Sequence, residues 1–154
     1  MNSHVIIIYW AAPVFTQAER IWNRLCKEAL EKLGPYLVAL PQDRAKNFTN
    51  SSGELDFDPL VEDCENQAVT SDIVVVVLDG PDTDSGASVE YGMARQARRC
   101  TVGVRTDTRK SEDGHTNAMF RKLTKRIYSP SFNESVTELC QKIHETIQEV
   151  LKNN

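Results

Sequence analysis

The 154-residue chain has a formal net charge of −4 and is 40% hydrophobic and 26% charged. This length suits one domain with its own core, and the composition is that of a folded protein, not a disordered one. The acidic balance disfavours nucleic-acid binding, which needs an excess of lysine and arginine to neutralise phosphates. We therefore expect a single domain over residues 1–154 and no nucleic-acid partner.

Apolar runs alternate with helical patterns along the chain, which is typical of a parallel α/β sheet. The predicted strands are 4–9, 36–40, 73–78, 101–104 and 126–128. The predicted helices are 16–33, 59–70, 86–98, a short one at 117–124, and 133–151, with polar loops at 42–58 and 106–116. Right-handed crossovers then predict a flavodoxin-like (Rossmann-like), doubly wound α/β fold. Its five parallel strands take the order 2-1-3-4-5, with helices on both faces.

Two of these helices carry apolar residues at three- and four-residue spacing, which predicts a buried face. In helix 16–33 they are Ala18, Ile21, Trp22, Leu25, Ala29, Leu30 and Leu33. In helix 133–151 they are Val136, Leu139, Cys140, Ile143, Ile147 and Val150.

The sequence also indicates a compartment. The apolar run 5–15 is too short to span a membrane, contains Pro13, and lacks the preceding basic segment of a signal peptide. The four cysteines are widely spaced and form no CxxC pair. They are Cys26, Cys64, Cys100 and Cys140. We expect reduced thiols in a cytoplasmic protein with no membrane partner.

Ligands of doubly wound sheets bind beyond the carboxyl ends of the strands, where the winding direction switches. Strands one and three meet there, and the segment after strand three places Asp79, Asp82 and Asp84 within six positions. Carboxylates this close repel unless a ligand, a partner or a proton relieves them. An acidic surface turn with Ser85 capping the next helix is the alternative interpretation.

Glu90 is the more specific candidate. Met93, Ala94 and Ala97 lie three, four and seven residues further on, so Glu90 shares the predicted inward face of its helix. A carboxylate on an apolar face is costly without partners, which favours a functional role. A rim glutamate that favours the positive helix N-terminus is the alternative.

Residues 71–94 (SDIVVVVLDGPDTDSGASVEYGMA) resemble the nucleoside 2-deoxyribosyltransferase family, with its strand, D-G-x-x-x-D-S-G turn and E-x-G-x-A helix start. Supporting matches are YWAAPVF at 9–15, R-T-D-x-R at 105–109, and the N-x-M pattern of Asn117 and Met119. The resemblance covers most of the chain. It implies an enzyme that passes the 2-deoxyribosyl group between the bases of 2′-deoxynucleosides.

The resemblance assigns roles to individual residues. Glu90 matches the nucleophile and Tyr9 the tyrosine that orients it, while Asp84 matches the aspartate that contacts the sugar 5′-hydroxyl. Asn117 matches an asparagine supplied by a neighbouring subunit, which implies a homo-oligomer, and Met119 belongs to the same substrate-binding pattern.

The base side departs from the family, which often has an aspartate where this chain has Cys64. Asp63, Asp82 and Asp43 remain open as the group that meets the leaving base. A sister group that hydrolyses deoxynucleoside 5′-monophosphates has serine where this chain has Asp84. A carboxylate there repels a 5′-phosphate, so residue 84 favours free nucleosides. Rescue of phosphate binding by Arg20, Arg105 or Arg109 is the open alternative.

No cofactor or metal is implied, because the chemistry needs none and His4, His115 and His144 are scattered and predicted at the surface. Base release by hydrolysis and a non-catalytic nucleoside- or nucleotide-binding module are the competing functions. A set of basic residues predicts a solvated or intersubunit face more readily than a nucleic-acid site. It comprises Arg95, Arg98, Arg99, Arg121, Lys122, Lys125 and Arg126.

Overall fold

A computed structural model describes residues 4–110 and 116–153. Its sheet has five parallel strands in the order β2-β1-β3-β4-β5, which confirms the predicted flavodoxin-like topology. The strands are β1 (Ile6–Ala11), β2 (Tyr36–Ala39), β3 (Ile73–Val77), β4 (Cys100–Arg105) and β5 (Lys125–Tyr128). The α-helices are α1 (Gln17–Leu33), α2 (Pro41–Arg44), α3 (Phe57–Thr70), α4 (Ser85–Gln96) and α5 (Val136–Lys152). Short 3-10 helices lie at Ala45–Phe48 and Ala118–Lys122.

Two apolar layers cover the sheet, one on each face. Successive residues of a strand point to opposite faces, so Ile8 and Trp10 of β1 join the core beneath α1 and α5. Tyr9 and Ala11 join the second core, beneath α3 and α4. Because β3 is buried along its whole length, it reads as the unbroken apolar run IVVVV. Among the described helices, none is long and apolar enough to cross a membrane.

The two long helices begin with capping boxes that fix the residue at which each helix starts. Thr16 and Glu19 satisfy each other's backbone N–H groups at the start of α1, and Ser135 and Glu138 do the same for α5. The buried face of α5 is the predicted one.

The buried face of α1 differs from the prediction. Asn23, Cys26 and Leu30 are the buried residues, whereas Ile21 and Leu25 are 47% and 46% exposed. Apolar spacing alone therefore placed the buried stripe of this helix a little to one side of where it lies.

The predicted loop 42–58 contains more regular structure than expected. Pro41 occupies the first helical position, where its missing N–H costs nothing, and α2 continues into the 3-10 helix Ala45–Phe48. An antiparallel bridge between Thr49 and Leu55 closes the turn that follows. The short polar helices lack an apolar period, so the sequence pattern did not reveal them.

The predicted histidine, loop and cysteine positions can also be compared with the structure. His144 is half-buried, and its Nδ1 lies 2.7 Å from the Tyr36 hydroxyl, so this predicted surface residue is only partly exposed. The predicted loop 106–116 is followed as far as residue 110, and His115 lies outside the described residues. All four cysteines are free thiols.

Candidate active site

Tyr9 and Glu90 meet on the α3/α4 face of the sheet. Tyr9 is fully buried in β1, which meets β3 at the predicted switch point. Glu90 is half-buried in the second turn of α4, beside the buried residues Ala87 and Tyr91. The Tyr9 hydroxyl donates a hydrogen bond to Glu90 Oε1 over 2.7 Å. Charge-assisted hydrogen bonds of this kind hold a carboxylate in one orientation.

The ionisation of this pair follows from its burial. Burial raises the pKa of Glu90 from 4.5 to about 7, the Tyr9 hydrogen bond lowers it in part, and the Asp84 carboxylate adds to the increase. Burial, followed by the charge of Glu90, raises the pKa of Tyr9 far above its usual range. Tyr9 therefore stays a donor, while Glu90 gains and loses its proton near neutral pH.

Asp84 begins α4 as its N-cap. Its Oδ2 accepts the Ala87 N–H at 2.9 Å, and its backbone carbonyl accepts the Ser88 hydroxyl at 2.7 Å. The cap of this helix is thus Asp84 and not Ser85, which the acidic-surface-turn interpretation had predicted as the cap. The cap holds one carboxylate close enough to Glu90 to act on its pKa.

Hydrogen bonds join the loops after β3 and β4 at the same edge of the sheet. Asp79 Oδ1 accepts the N–H groups of Thr106 and Asp107 at 2.6 and 2.9 Å, and Asp107 Oδ2 accepts the Gly80 N–H at 2.9 Å. Gly80 has φ +111°, and a Cβ there would lie 2.7 Å from the Asp82 carbonyl oxygen. Asp79 therefore accepts backbone N–H groups and stabilises the frame of the site.

The three arginines considered for phosphate binding already donate to the protein's own backbone and side chains. Arg105 is 2% exposed and donates to the carbonyl oxygens of Leu78, Gly80 and Arg109. Arg109 pairs with Asp107 at 2.5 Å. Arg20 donates to the carbonyl oxygens of the loop after β1.

Cys64, Asp63 and Arg44 form a group near Tyr9. Cys64 of α3 packs against the core that contains Tyr9, and burial raises the pKa of its thiol. Asp63, the preceding residue, accepts two hydrogen bonds from Arg44, one from Nε and one from Nη2. Their side chains are 15% and 31% exposed. The structure thus brings Asp63 to the neighbourhood of the Tyr9–Glu90 pair, already joined to a cation.

The remaining candidates lie in two other surroundings. Asp43 faces Lys27 and Lys46 at 3.5 and 3.9 Å, beyond β2. Asp82, Asn117 and Met119 line a groove of about 580 Å³ between α4 and the 3-10 helix Ala118–Lys122, and the lining of that groove does not include Glu90. Asn117 caps this short helix by accepting the Met119 N–H at 2.9 Å.

Two residues around the site were not predicted from the sequence. Asn23 accepts the indole N–H of Trp10 at 3.0 Å, and it donates to the Pro13 carbonyl and to the Gln42 side chain. It thereby ties the loop after β1 to α1 and α2. Its position three residues before Cys26 and seven before Leu30, on the buried stripe of α1, was the available signal. No comparable signal marked Arg44, because its segment was predicted as loop.

A model of the nucleoside 2-deoxyribosyltransferase family matches residues 8–124, more than half of the chain. The chain belongs to this family. The matched region of this deoxyribosyltransferase family member spans Tyr9, Asp84, Glu90 and Asn117. A search among curated proteins finds no significant match.

Solved structures share the fold of this family member. A conserved protein from Enterococcus faecalis V583 is 24% identical, with a TM-score of 0.73 over 93% of this chain and 99% of its own. The 2-deoxyribosyltransferase of Bacillus psychrosaccharolyticus is 16% identical, with a TM-score of 0.66 over 90% of each chain. The CMP N-glycosidase BcmB of Clostridium botulinum is 15% identical, with a TM-score of 0.59 over 89% of this chain and 97% of its own. These likenesses show that the chain shares the fold of these proteins.

Proposed function

We propose that this protein transfers the 2-deoxyribosyl group between the bases of 2′-deoxynucleosides, with Glu90 as nucleophile. Its substrates are 2′-deoxynucleosides and free purine or pyrimidine bases. The observation that carries the proposal is the 2.7 Å hydrogen bond from buried Tyr9 to Glu90. A carboxylate held on one oxygen by a permanent donor is oriented for attack through the other.

The reaction follows retaining glycoside chemistry, with a nucleobase as the leaving group. Glu90 Oε2 forms a bond to C1′ as the C1′–N bond breaks, and the electron pair of that bond leaves with the base. The carboxylate charge disappears in the ester, and the base carries the negative charge away. A second base then attacks C1′ from the side that the first one left, which gives net retention and restores the Glu90 carboxylate.

The sugar preference follows from the transition state. It resembles an oxocarbenium ion, and a 2′-hydroxyl withdraws electrons from it, so deoxyribose reacts more readily than ribose. Asp84 accepts the 5′-hydroxyl in this proposal and repels a 5′-phosphate. The engagement of Arg20, Arg105 and Arg109 with the protein's own groups also favours nucleosides over nucleotides.

Hydrolysis of deoxynucleosides or deoxynucleoside 5′-monophosphates is the second candidate. The fold likeness to the CMP N-glycosidase favours it, since the same Glu90 ester is open to water as well as to a base. We also propose that the active form is a homo-oligomer in which Asn117 reaches a neighbouring site. Its place in a groove apart from Glu90 of the same protomer supports this.

The test follows both bases during incubation with deoxyinosine, with and without adenine. Deoxyadenosine that forms only with added adenine, and is lost in Glu90→Ala, supports the transferase. Glu62→Ala is the matched control, because Glu62 is an exposed glutamate of α3. Hypoxanthine release regardless of acceptor indicates the hydrolase. A lack of base release from a panel of deoxynucleosides and deoxynucleotides refutes both and leaves a binding module.

A further inference from the structure

A fixed cation stands next to the reacting pair. Arg44 ends α2, directly after β2, whose residue Ala39 pairs with Tyr9 in the sheet. The hydrogen bonds with Asp63 raise the pKa of Arg44, and the guanidinium also lies within electrostatic reach of Cys64 and Tyr9. The cation therefore lies within electrostatic reach of Tyr9, whose hydroxyl bonds to Glu90.

The guanidinium is oriented but not fully used. Its Nε and Nη2 atoms donate to the two oxygens of Asp63, in the bidentate geometry that fixes the plane of the group. Within the part of the chain that the structure describes, no hydrogen bond engages its Nη1 group. The side chain is 31% exposed, so these N–H groups are accessible to a ligand.

The leaving base of the proposed reaction needs its negative charge stabilised, and the family resemblance places position 64 near this base. It departs with an electron pair, and the groups nearby are poor acids. Burial raises the pKa of the Cys64 thiol, which weakens it as a proton donor. Asp63 accepts hydrogen bonds with both oxygens, which is the bonding of a carboxylate and not of a carboxylic acid. A guanidinium stabilises an anion without giving up a proton.

We propose that Arg44 recognises the nucleobase by donating an N–H group to a ring carbonyl oxygen, while Asp63 holds the guanidinium plane. The inference rests on the proposed function and deepens it. The C1′–N bond breaks, its electron pair spreads through the ring onto the carbonyl oxygen, and that oxygen bonds to Arg44. The base leaves as an anion that takes its proton from water, so atoms and charges balance. Bases with a carbonyl at that edge, such as 6-oxopurines, are favoured over adenine, which presents an amino donor there.

The test compares kcat/KM for base release from deoxyinosine and deoxyadenosine in Arg44→Met. We expect a loss of about 10- to 100-fold with deoxyinosine, the range for one charge-assisted hydrogen bond, and less than about threefold with deoxyadenosine. Asp63→Asn lowers the ratio of the kcat/KM for deoxyinosine to that for deoxyadenosine by a smaller factor, because the guanidinium remains but loses its orientation. Lys46→Met is the matched control, since it removes a nearby cation that does not contact Asp63.

The ratio of the two substrates separates recognition from a structural role. If the Arg44–Asp63 pair is merely structural, its loss lowers thermal stability and both rates together. An unchanged ratio in Arg44→Met and Asp63→Asn then overturns the inference. Base release by the wild type upholds the proposed function in that case. A wild type that releases no base from any substrate overturns the proposed function, and the inference falls with it.

Discussion

Replacing Tyr9 by phenylalanine isolates the hydrogen bond on which the proposed chemistry depends. The phenyl ring keeps the packing of a fully buried residue, and only the hydroxyl that donates to Glu90 Oε1 is lost. That bond lowers the pKa of Glu90, so its removal raises a pKa that already stands at about 7. A hydrogen bond to a charged group contributes about 1.5–3 kcal/mol, which moves the pKa upward by about one to two pH units.

The assay is the pH dependence of kcat/KM for base release, followed from about pH 5 to about pH 9.5. The wild type needs ionised Glu90, so its activity falls as the pH drops through about 7. At pH 7 the ionised fraction falls from roughly one half to roughly 1–10% in Tyr9→Phe, a loss of about 5- to 50-fold. At the alkaline end the two enzymes agree within about twofold.

Tyr36→Phe is the matched control, because its half-buried hydroxyl bonds to His144 and Gln148, away from Glu90. It leaves the acidic limb unchanged. An acidic limb in Tyr9→Phe with the wild-type midpoint, or a loss that is the same at every pH, refutes the assigned role of Tyr9.

Three further predictions concern stability, each measured by thermal or denaturant unfolding. The folded state raises the pKa of Glu90 above 4.5. The stability that protonated Glu90 contributes is therefore fully present below that pH and is lost as the pH rises through about 7. Glu90→Gln therefore stabilises the protein on the order of 2–3 kcal/mol above pH 8 and leaves it unchanged near pH 4; equal effects at both would contradict this. Gly103→Ala places a Cβ 2.5 Å from Leu123 and 2.8 Å from Leu78, so we expect a cost of about 1–3 kcal/mol, and an unchanged midpoint would show that both leucines yield freely. Arg105→Met removes the buried donor of three backbone carbonyl oxygens, and we expect it to lower the free energy of unfolding by about 3 kcal/mol. A denaturant midpoint equal to that of the wild type would contradict this role of Arg105.

The topology was predictable because its signals are local and strong. The run IVVVV reads as a strand covered on both faces, and it is one. The apolar period of α5 identified its buried face, since a long helix repeats the pattern several times. The segment after β2 offered no such repetition, so α2 and its 3-10 helix were hidden in a polar stretch.

The site was predictable only in part, for a spatial reason. Glu90 lies on a helix whose inward face the apolar spacing predicts, whereas Tyr9 was identified through the family resemblance. Asp43 pairs with Lys27 and Lys46, and Asp82 lines the groove beside α4, so their role at the leaving base stays a prediction. Arg44 reaches Asp63 across 19 positions of sequence, a pairing that no local pattern encodes.

The central claim is that Glu90 carries the deoxyribosyl group as a covalent ester. The most direct test is intact-protein mass spectrometry after rapid acid quenching of a reaction with deoxyinosine and no acceptor base, followed by peptide mapping. The proposal predicts a mass increase equal to one deoxyribosyl group, located on Glu90 and absent from Glu90→Gln. Rapid base release with Glu90 unmodified at every quench time, or the sugar attached to another residue, would contradict it.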